Sequence, residues 1–348
     1  MSFIFRILLL LSVVLNTGSI LAQVGGANAY DFLDLPTSAR VTALGGSVIS
    51  LNALEGDVIQ VNPASLSDTL NNSLSFNYVN YIADINYGYV VYAKEITSGH
   101  NVSMGIQYLD YGSFTRTDNI GNVLGNFGAN DMSINLSYAN NSLDTNLSIG
   151  ATVKTIYSNL DALSSWGSAV DFGLIYQIPK WDLSLAIVSK NSGIQWTSYV
   201  DGNKERIPYN LQLGASKGLK HAPLRLHLTY NYFNLWDITG GINTVNTTTS
   251  NETLNNFKLF TDKLMRHFVL GAELNLGKSF FIRMGYNYHQ RKELLVQERK
   301  GMAGFSFGTG LSIYKFRISY ARAVYSIAGA VNNFSLTFNM SSFRKNTI

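Results

Sequence analysis

The chain has 348 residues, a net charge of +4 and no cysteine. Disulfide stapling, thiol catalysis, thiolate metal sites and a lipidated N-terminal cysteine are therefore excluded, and the scattered basic residues leave no nucleic-acid footprint. Only 14% of residues are charged and 12% are aromatic, against about 25% charged in an ordinary soluble domain, so side chains suited to a water-facing surface are scarce.

Residues 1–22 read as a secretory signal: Arg6, an apolar run from Ile7 to Leu15, then small and polar residues ending at Ala22, with cleavage expected before Gln23. The run is too short to span a bilayer as a helix, and no later stretch approaches the roughly 20 apolar residues required. If the chain enters a membrane, it does so as strands.

Residues 23–70 have a different chemistry. Tyr30-Asp31-Phe32-Leu33-Asp34-Leu35-Pro36 is followed by Ser38-Ala39-Arg40, Ala43-Leu44-Gly45-Gly46 and Asn62-Pro63-Ala64. The paired glycines permit a left-handed or closely approached backbone, and Pro63 fixes a turn beside Asn62. A compact segment of this size ahead of a barrel either hangs in the periplasm or folds into the lumen.

From 71 to 348, apolar residues recur at every second position over seven to eleven residues, separated by Asn-, Ser- or Gly-rich breaks. Period two means strands with one apolar face. Clear cases are Val102, Met104, Ile106, Tyr108; Leu224, Leu226, Leu228, Tyr230, Tyr232; and Phe334, Leu336, Phe338, Met340. Strands centre near 77, 89, 105, 135, 151, 172, 186, 212, 228, 272, 284, 307, 318 and 336. The expected fold is all-β, a transmembrane antiparallel barrel of about fourteen strands with an N-terminal plug. A soluble sandwich or propeller would need Lys and Glu on its outer faces, which these strands lack. Connections near Ser98, Ser142, Pro179, Lys220, Gly277 and Tyr314 read as short periplasmic turns. Those near Asn119, Leu163, Asp201, Thr249, Leu295 and Ile327 read as longer extracellular loops. Within 234–266 the spacing of Leu254, Phe257, Leu259, Phe260 and Leu264 predicts a short amphipathic helix.

The N-terminal elements resemble the hatch of FadL-type outer-membrane barrels, a fourteen-stranded family that includes fatty-acid and hydrocarbon transporters. Over residues 26–64 they resemble its PorV/PorQ group. The resemblance implies an outer-membrane location and a type IX secretion role: docking a PorZ-like protein of the attachment complex beside PorU- and PorV-like proteins. Its alternatives are a transporter of hydrophobic molecules and a shuttle for secreted clients. It marks Arg40, Gly45, Gly46, Asn62 and Pro63 as hatch positions, with Arg40 a candidate lumen ion-pair partner.

Partner-binding candidates rest on expected loop exposure alone: Trp166, Trp196 and Trp236, which suit interface anchors, and Arg291, Lys292, Arg299 and Lys300, which suit lipopolysaccharide phosphates or an acidic partner. No catalytic residue, cofactor or metal is expected. Gly214-Ala215-Ser216-Lys217-Gly218 has the G-x-S-x-G spacing but runs into a turn rather than a helix, and Ser312 to Lys315 lacks its companion motifs. Gly277-Lys278-Ser279 lacks the glycine that a phosphate loop needs at Ala272. The five histidines show no ligand spacing.

Overall fold

The computed structural model describes residues 28–51, 55–200, 202–239, 256–277, 279–294, 301–326 and 329–343. The signal segment, Leu254, Lys278, Arg299 and Lys300 lie outside them.

Fourteen antiparallel strands close into one barrel. They are β1 (Ser73–Asn80), β2 (Asn86–Thr97), β3 (His100–Thr117), β4 (Val123–Asp144), β5 (Leu147–Leu160), β6 (Leu163–Ile178) and β7 (Leu183–Thr197), followed by β8 (Asn210–Gly218), β9 (Leu224–Tyr230), β10 (Phe268–Leu276), β11 (Phe280–Asn287), β12 (Phe305–Ile313), β13 (Phe316–Ser326) and β14 (Gly329–Asn339). Every centre read from periodicity falls on one of these strands. Closure runs from Ser73↔Asn339 to Asn80↔Asn332, so neither terminal strand keeps an open edge.

The alternation is that of a wall between lipid and a filled lumen. On β3, Met104, Ile106 and Tyr108 point outward and are exposed, whereas Asn101, Ser103 and Gln107 point inward and are buried. The same outward row continues through Leu226 and Leu228 on β9, Ile282 and Met284 on β11 and Phe334 on β14. Two residues of the predicted rows, Tyr232 and Met340, depart from their strands, and the chain leaves β11 at Tyr288. Tyr232 takes φ 55° beyond β9, Tyr288 begins a helix, and Met340 begins a 3-10 turn after β14.

Two expected long loops are tight. β5 and β6 stay paired up to Leu160↔Leu163, and β13 returns to β14 through Ser326↔Gly329. The chain there spends its length on strand. The break near Asn119 is likewise only the tip of a long hairpin, since β3 and β4 run on to Thr117 and Val123. The strands from β8 to β12 are short, at seven to nine residues each, and the helices α2 (Asn256–Arg266) and α3 (Tyr288–Leu294) pack together over this low side of the rim. Helix α2 is the one expected from the spacing of Phe257, Leu259, Phe260 and Leu264.

The N-terminal segment packs inside the barrel as helix α1 (Ala39–Ala43) and a series of 3-10 turns. Its Val41, Leu44, Val48, Leu51, Val58, Ile59 and Leu66 cluster with the inward Tyr89, Val91 and Ala93 of β2. Phe32 and Leu33 join Tyr87, Leu109 and Tyr325 in a second cluster. The lumen thus has an apolar core supplied jointly by hatch and wall, and burying each large side chain contributes about 1.5–3 kcal/mol.

Candidate functional site

Local sequence shapes the hatch. The Ser38 hydroxyl caps α1 by accepting from Val41 N. The helix ends at Gly45 and Gly46, whose φ of 101° and 85° are open to glycine at little cost, and Gly46 N donates to Val41 O at 2.9 Å. Asn62 Oδ1 accepts from Ala64 N at 2.9 Å with Pro63 at the first turn position. Asn62 Nδ2 donates to Ile49 O at 2.8 Å, tying the two halves of the hatch together.

Ionic groups then lock hatch to wall. Arg40 donates through Nε and Nη2 to Glu273 of β10 at 3.0 and 2.9 Å. Arg283 of β11 donates to the same carboxylate at 2.8 Å and to Glu55 of the hatch at 3.1 Å. All four side chains are at most 4% exposed. Burial raises the pKa of Glu55, but Arg283 and Arg40 outweigh it and hold the group below the usual carboxylate range. The neighbouring Asp57 is pushed up to about 6 by burial and by the Glu55 charge, while Ser335 of β14 donates to it at 3.0 Å. A second network lies across the lumen. Lys154 of β5 pairs with Asp171 of β6 at 2.6 Å and donates to Asn191 at 2.7 Å. Asn191 Nδ2 donates to Asp34 of the hatch at 2.8 Å.

The wall carries glycine where the hatch touches it. A Cβ on Gly150 would lie 2.5 Å from the Pro63 carbonyl carbon, and one on Gly173 would overlap Asn62 Oδ1. The Asn62–Pro63 turn therefore seats directly on β5 and β6.

The sequence-predicted partner residues are not brought together. Trp166 and Trp196 are on β6 and β7, not in loops. Trp166 packs on Tyr157 across the sheet with ring centroids 4.7 Å apart, and Trp196 Nε1 donates to Ser168 Oγ at 2.9 Å. Both face outward near the long-loop end, the position of an interfacial aromatic girdle. Trp236 does lie in the loop after β9, packed on Phe260 and His267. Arg291 turns inward to Gly301 O and Ala303 O, and Lys292 pairs with Asp262 at 3.0 Å. These two cations tie α3 to the chain after it and to α2.

Ser216 of the G-x-S-x-G stretch lies on β8, bonded to His227 Nδ1 of β9 at 2.6 Å and to Ser50 of the hatch. Serine and histidine are 1% and 2% exposed, and His227 Nε2 has no hydrogen-bond partner among the described residues. The pair is thus packed between β8, β9 and the hatch. Among the described residues no group of His, Asp and Glu could hold a metal.

At the low side of the rim a cavity of about 190 Å³ opens beneath α2 and α3, with Asp34, Lys190, Gln212 and Arg266 in its walls. Sequence reasoning missed it, because its residues come from the hatch, four strands, two helices and the segment after β9, and form no motif.

No protein-family model and no curated protein matches the sequence. Among solved structures, the toluene transporter TodX of Pseudomonas putida aligns over 91% of this chain and 98% of its own, with 11% identity and TM-score 0.50. A Pseudomonas aeruginosa FadL homologue aligns over 87% and 98%, with 10% identity and TM-score 0.48. At such identity the likeness is one of fold alone: this chain is a closed fourteen-stranded barrel whose fold is similar to that of TodX.

Proposed function

We propose that the chain is a plugged outer-membrane docking barrel of the type IX secretion attachment complex, holding a PorZ-like protein at its extracellular rim beside PorU- and PorV-like neighbours. The resemblance over residues 26–64 supplies the system. The observation that carries docking is the β3–β4 hairpin. Past Asp110, β3 pairs only with β4, and the β4–β5 register ends at Ala129↔Leu160. Strands of 18 and 22 residues far exceed the roughly 9–11 needed to cross a bilayer. The ribbon projects into water, braced by stacking of Phe114 on Phe127. At and beside its tip Ile120, Val123 and Leu124 are 84%, 67% and 64% exposed. A two-stranded ribbon is marginal alone in water, and clustered exposed aliphatics mark a contact surface.

The locked hatch supports the same reading, because a tether has no need of an open lumen. The test is co-purification from the native outer membrane in mild detergent. A PorZ-like protein should accompany the wild type and be lost from a variant with Ile120, Val123 and Leu124 changed to serine. Its absence from both would remove the docking reading.

A second reading, passage of a hydrophobic molecule, is favoured by the fold shared with TodX and by the wall between β6 and β7. The register there shifts at Trp166/Gly167 and Val170/Phe172, and Asn191 takes φ 57°. Against it stands the close seating of the Asn62–Pro63 turn on β5 and β6. Recovery of the barrel alone with a bound lipid would favour it. A client-shuttle role shares the same barrel and hatch, and would show as recovery of secreted clients in place of a PorZ-like protein.

A further inference from the structure

The rim cavity holds buried polar atoms that lack hydrogen-bond partners among the described residues. Arg266, at the end of α2, is 5% exposed. Its Nε is spent on Asp262 at 2.9 Å, while its Nη1 has no acceptor. Gln212 of β8 is also 5% exposed. Its amide nitrogen donates to Ser47 Oγ at 3.3 Å, and its Oε1 receives nothing. That orientation of the amide is dictated by its neighbour, because the Ser47 hydroxyl proton goes to Asn231 Oδ1 at 2.7 Å. On α3, His289 Nε2 faces Glu293 at 3.2 Å and Nδ1 is left over. Lys190 of β7 reaches its carboxylate neighbour, Asp34, only at 3.7 Å. Arg266, Gln212, His289, Lys190 and Asp34 all line the same cavity, with Tyr232 and Tyr325 also in its walls.

Leaving a buried donor or acceptor unmet costs about 1–3 kcal/mol, so several converging on one cavity point to something that meets them. The cavity, at about 190 Å³, far exceeds the space of about 10–15 Å³ that a single water requires on this measure. Arg266 and Lys190 supply donors and positive charge, which suit a carboxylate or phosphate. Gln212 Oε1 and His289 Nδ1 supply neutral acceptors, which suit hydroxyls. An ammonium group would need a carboxylate, and Asp34 already accepts from Asn191 beside Lys190.

We propose that this cavity binds a small hydroxylated anion, of the chemistry of an acidic monosaccharide, with Arg266 and Lys190 on its anionic group and Gln212 and His289 on its hydroxyls. The ligand is either a free sugar acid or the acidic sugar of a lipopolysaccharide, since the cavity lies at the long-loop end of the barrel.

The test is calorimetric titration of the purified full barrel in detergent with glucuronate, against glucose and acetate as controls. Saturable binding of glucuronate is expected, with glucose and acetate each weaker by about tenfold or more, the worth of one lost charge-assisted bond. Gln212→Leu should weaken glucuronate by about tenfold without lowering the unfolding temperature. It is the primary variant because Arg266 also holds α2 through Asp262, and Lys190→Met serves as the second. Displacement of glucuronate by purified lipopolysaccharide would assign the ligand to the membrane leaflet, and failure to displace would assign it to a free sugar acid. No saturable binding to the wild type, or unchanged binding in both variants, overturns the proposal.

Discussion

Replacing Arg40 with methionine removes one side of the hatch lock while keeping most of the side-chain volume. Glu273 would lose the Nε and Nη2 bonds at 3.0 and 2.9 Å and keep only Arg283, which reaches Oε2 at 2.8 Å. Its Oε1 would then be buried without the partner it has now. Breaking a buried pair by removing one member costs about 3–5 kcal/mol, and the remaining Arg283 contact places this case near 3 kcal/mol. Because Arg40 is on the hatch and Glu273 is on β10, the loss falls on the contact between them. The equilibrium for hatch release should shift by about two orders of magnitude. The assay is limited chymotrypsin digestion of the detergent-solubilised barrel, followed at Phe32 and Leu33, which are buried against the wall in the wild type. Cleavage should accelerate about a hundredfold at protease levels where opening and closing are fast relative to cleavage. Cleavage at the wild-type rate in the single variant would refute the lock.

Asp57 gives the hatch a pH dependence. Its folded pKa of about 6 lies above the ordinary 3.8, so between these values the folded state holds the extra proton and stability falls as pH rises. Asp57→Asn should therefore raise the unfolding temperature at pH 7.5 and change little at pH 4. An equal effect at both pH values would contradict this. Gly173→Val should destabilise by about 1–3 kcal/mol, the usual cost of overpacking, because a side chain there would meet Asn62 and Pro63. Gly128→Ala, whose Cβ meets nothing nearer than 3.7 Å, should be silent in the same thermal melt. Changing Ile120, Val123 and Leu124 to serine should leave the melting temperature of the barrel within a degree or so of wild type, a surface effect under about 0.5 kcal/mol, while abolishing partner capture. A large fall in stability would make the hairpin part of the core instead.

The strands were legible because lipid demands an apolar row at every second residue, as in Met104, Ile106 and Tyr108. The hatch turns were legible because Ser38, Gly45, Gly46 and Pro63 carry local backbone rules that survive in any context. What the sequence hid came from contact between hatch and wall. The stretch near Leu163 reads as a long loop, yet it is paired strand, with Ser165 and Gly167 turned inward on β6. Ser165 is small because the Tyr30 hydroxyl bonds to it at 2.5 Å, and Gly167 is bare because the Tyr30 ring lies over it. That misreading carried Trp166 into a loop it does not occupy. The Glu273–Arg283 pair on β10 and β11 was equally hidden. Two isolated charges on alternating strands show no motif until a hatch arginine over two hundred residues earlier is folded between them.

The central claim, a sealed barrel that docks a protein, is tested most directly by affinity purification of the tagged full chain from its native outer membrane, with mass spectrometry of what accompanies it. The account predicts a PorZ-like protein, with PorU- or PorV-like neighbours, in amounts comparable to the barrel and dependent on Ile120, Val123 and Leu124. Recovery of the barrel alone, carrying a hydrophobic ligand in its lumen, would contradict it and make the chain a transporter.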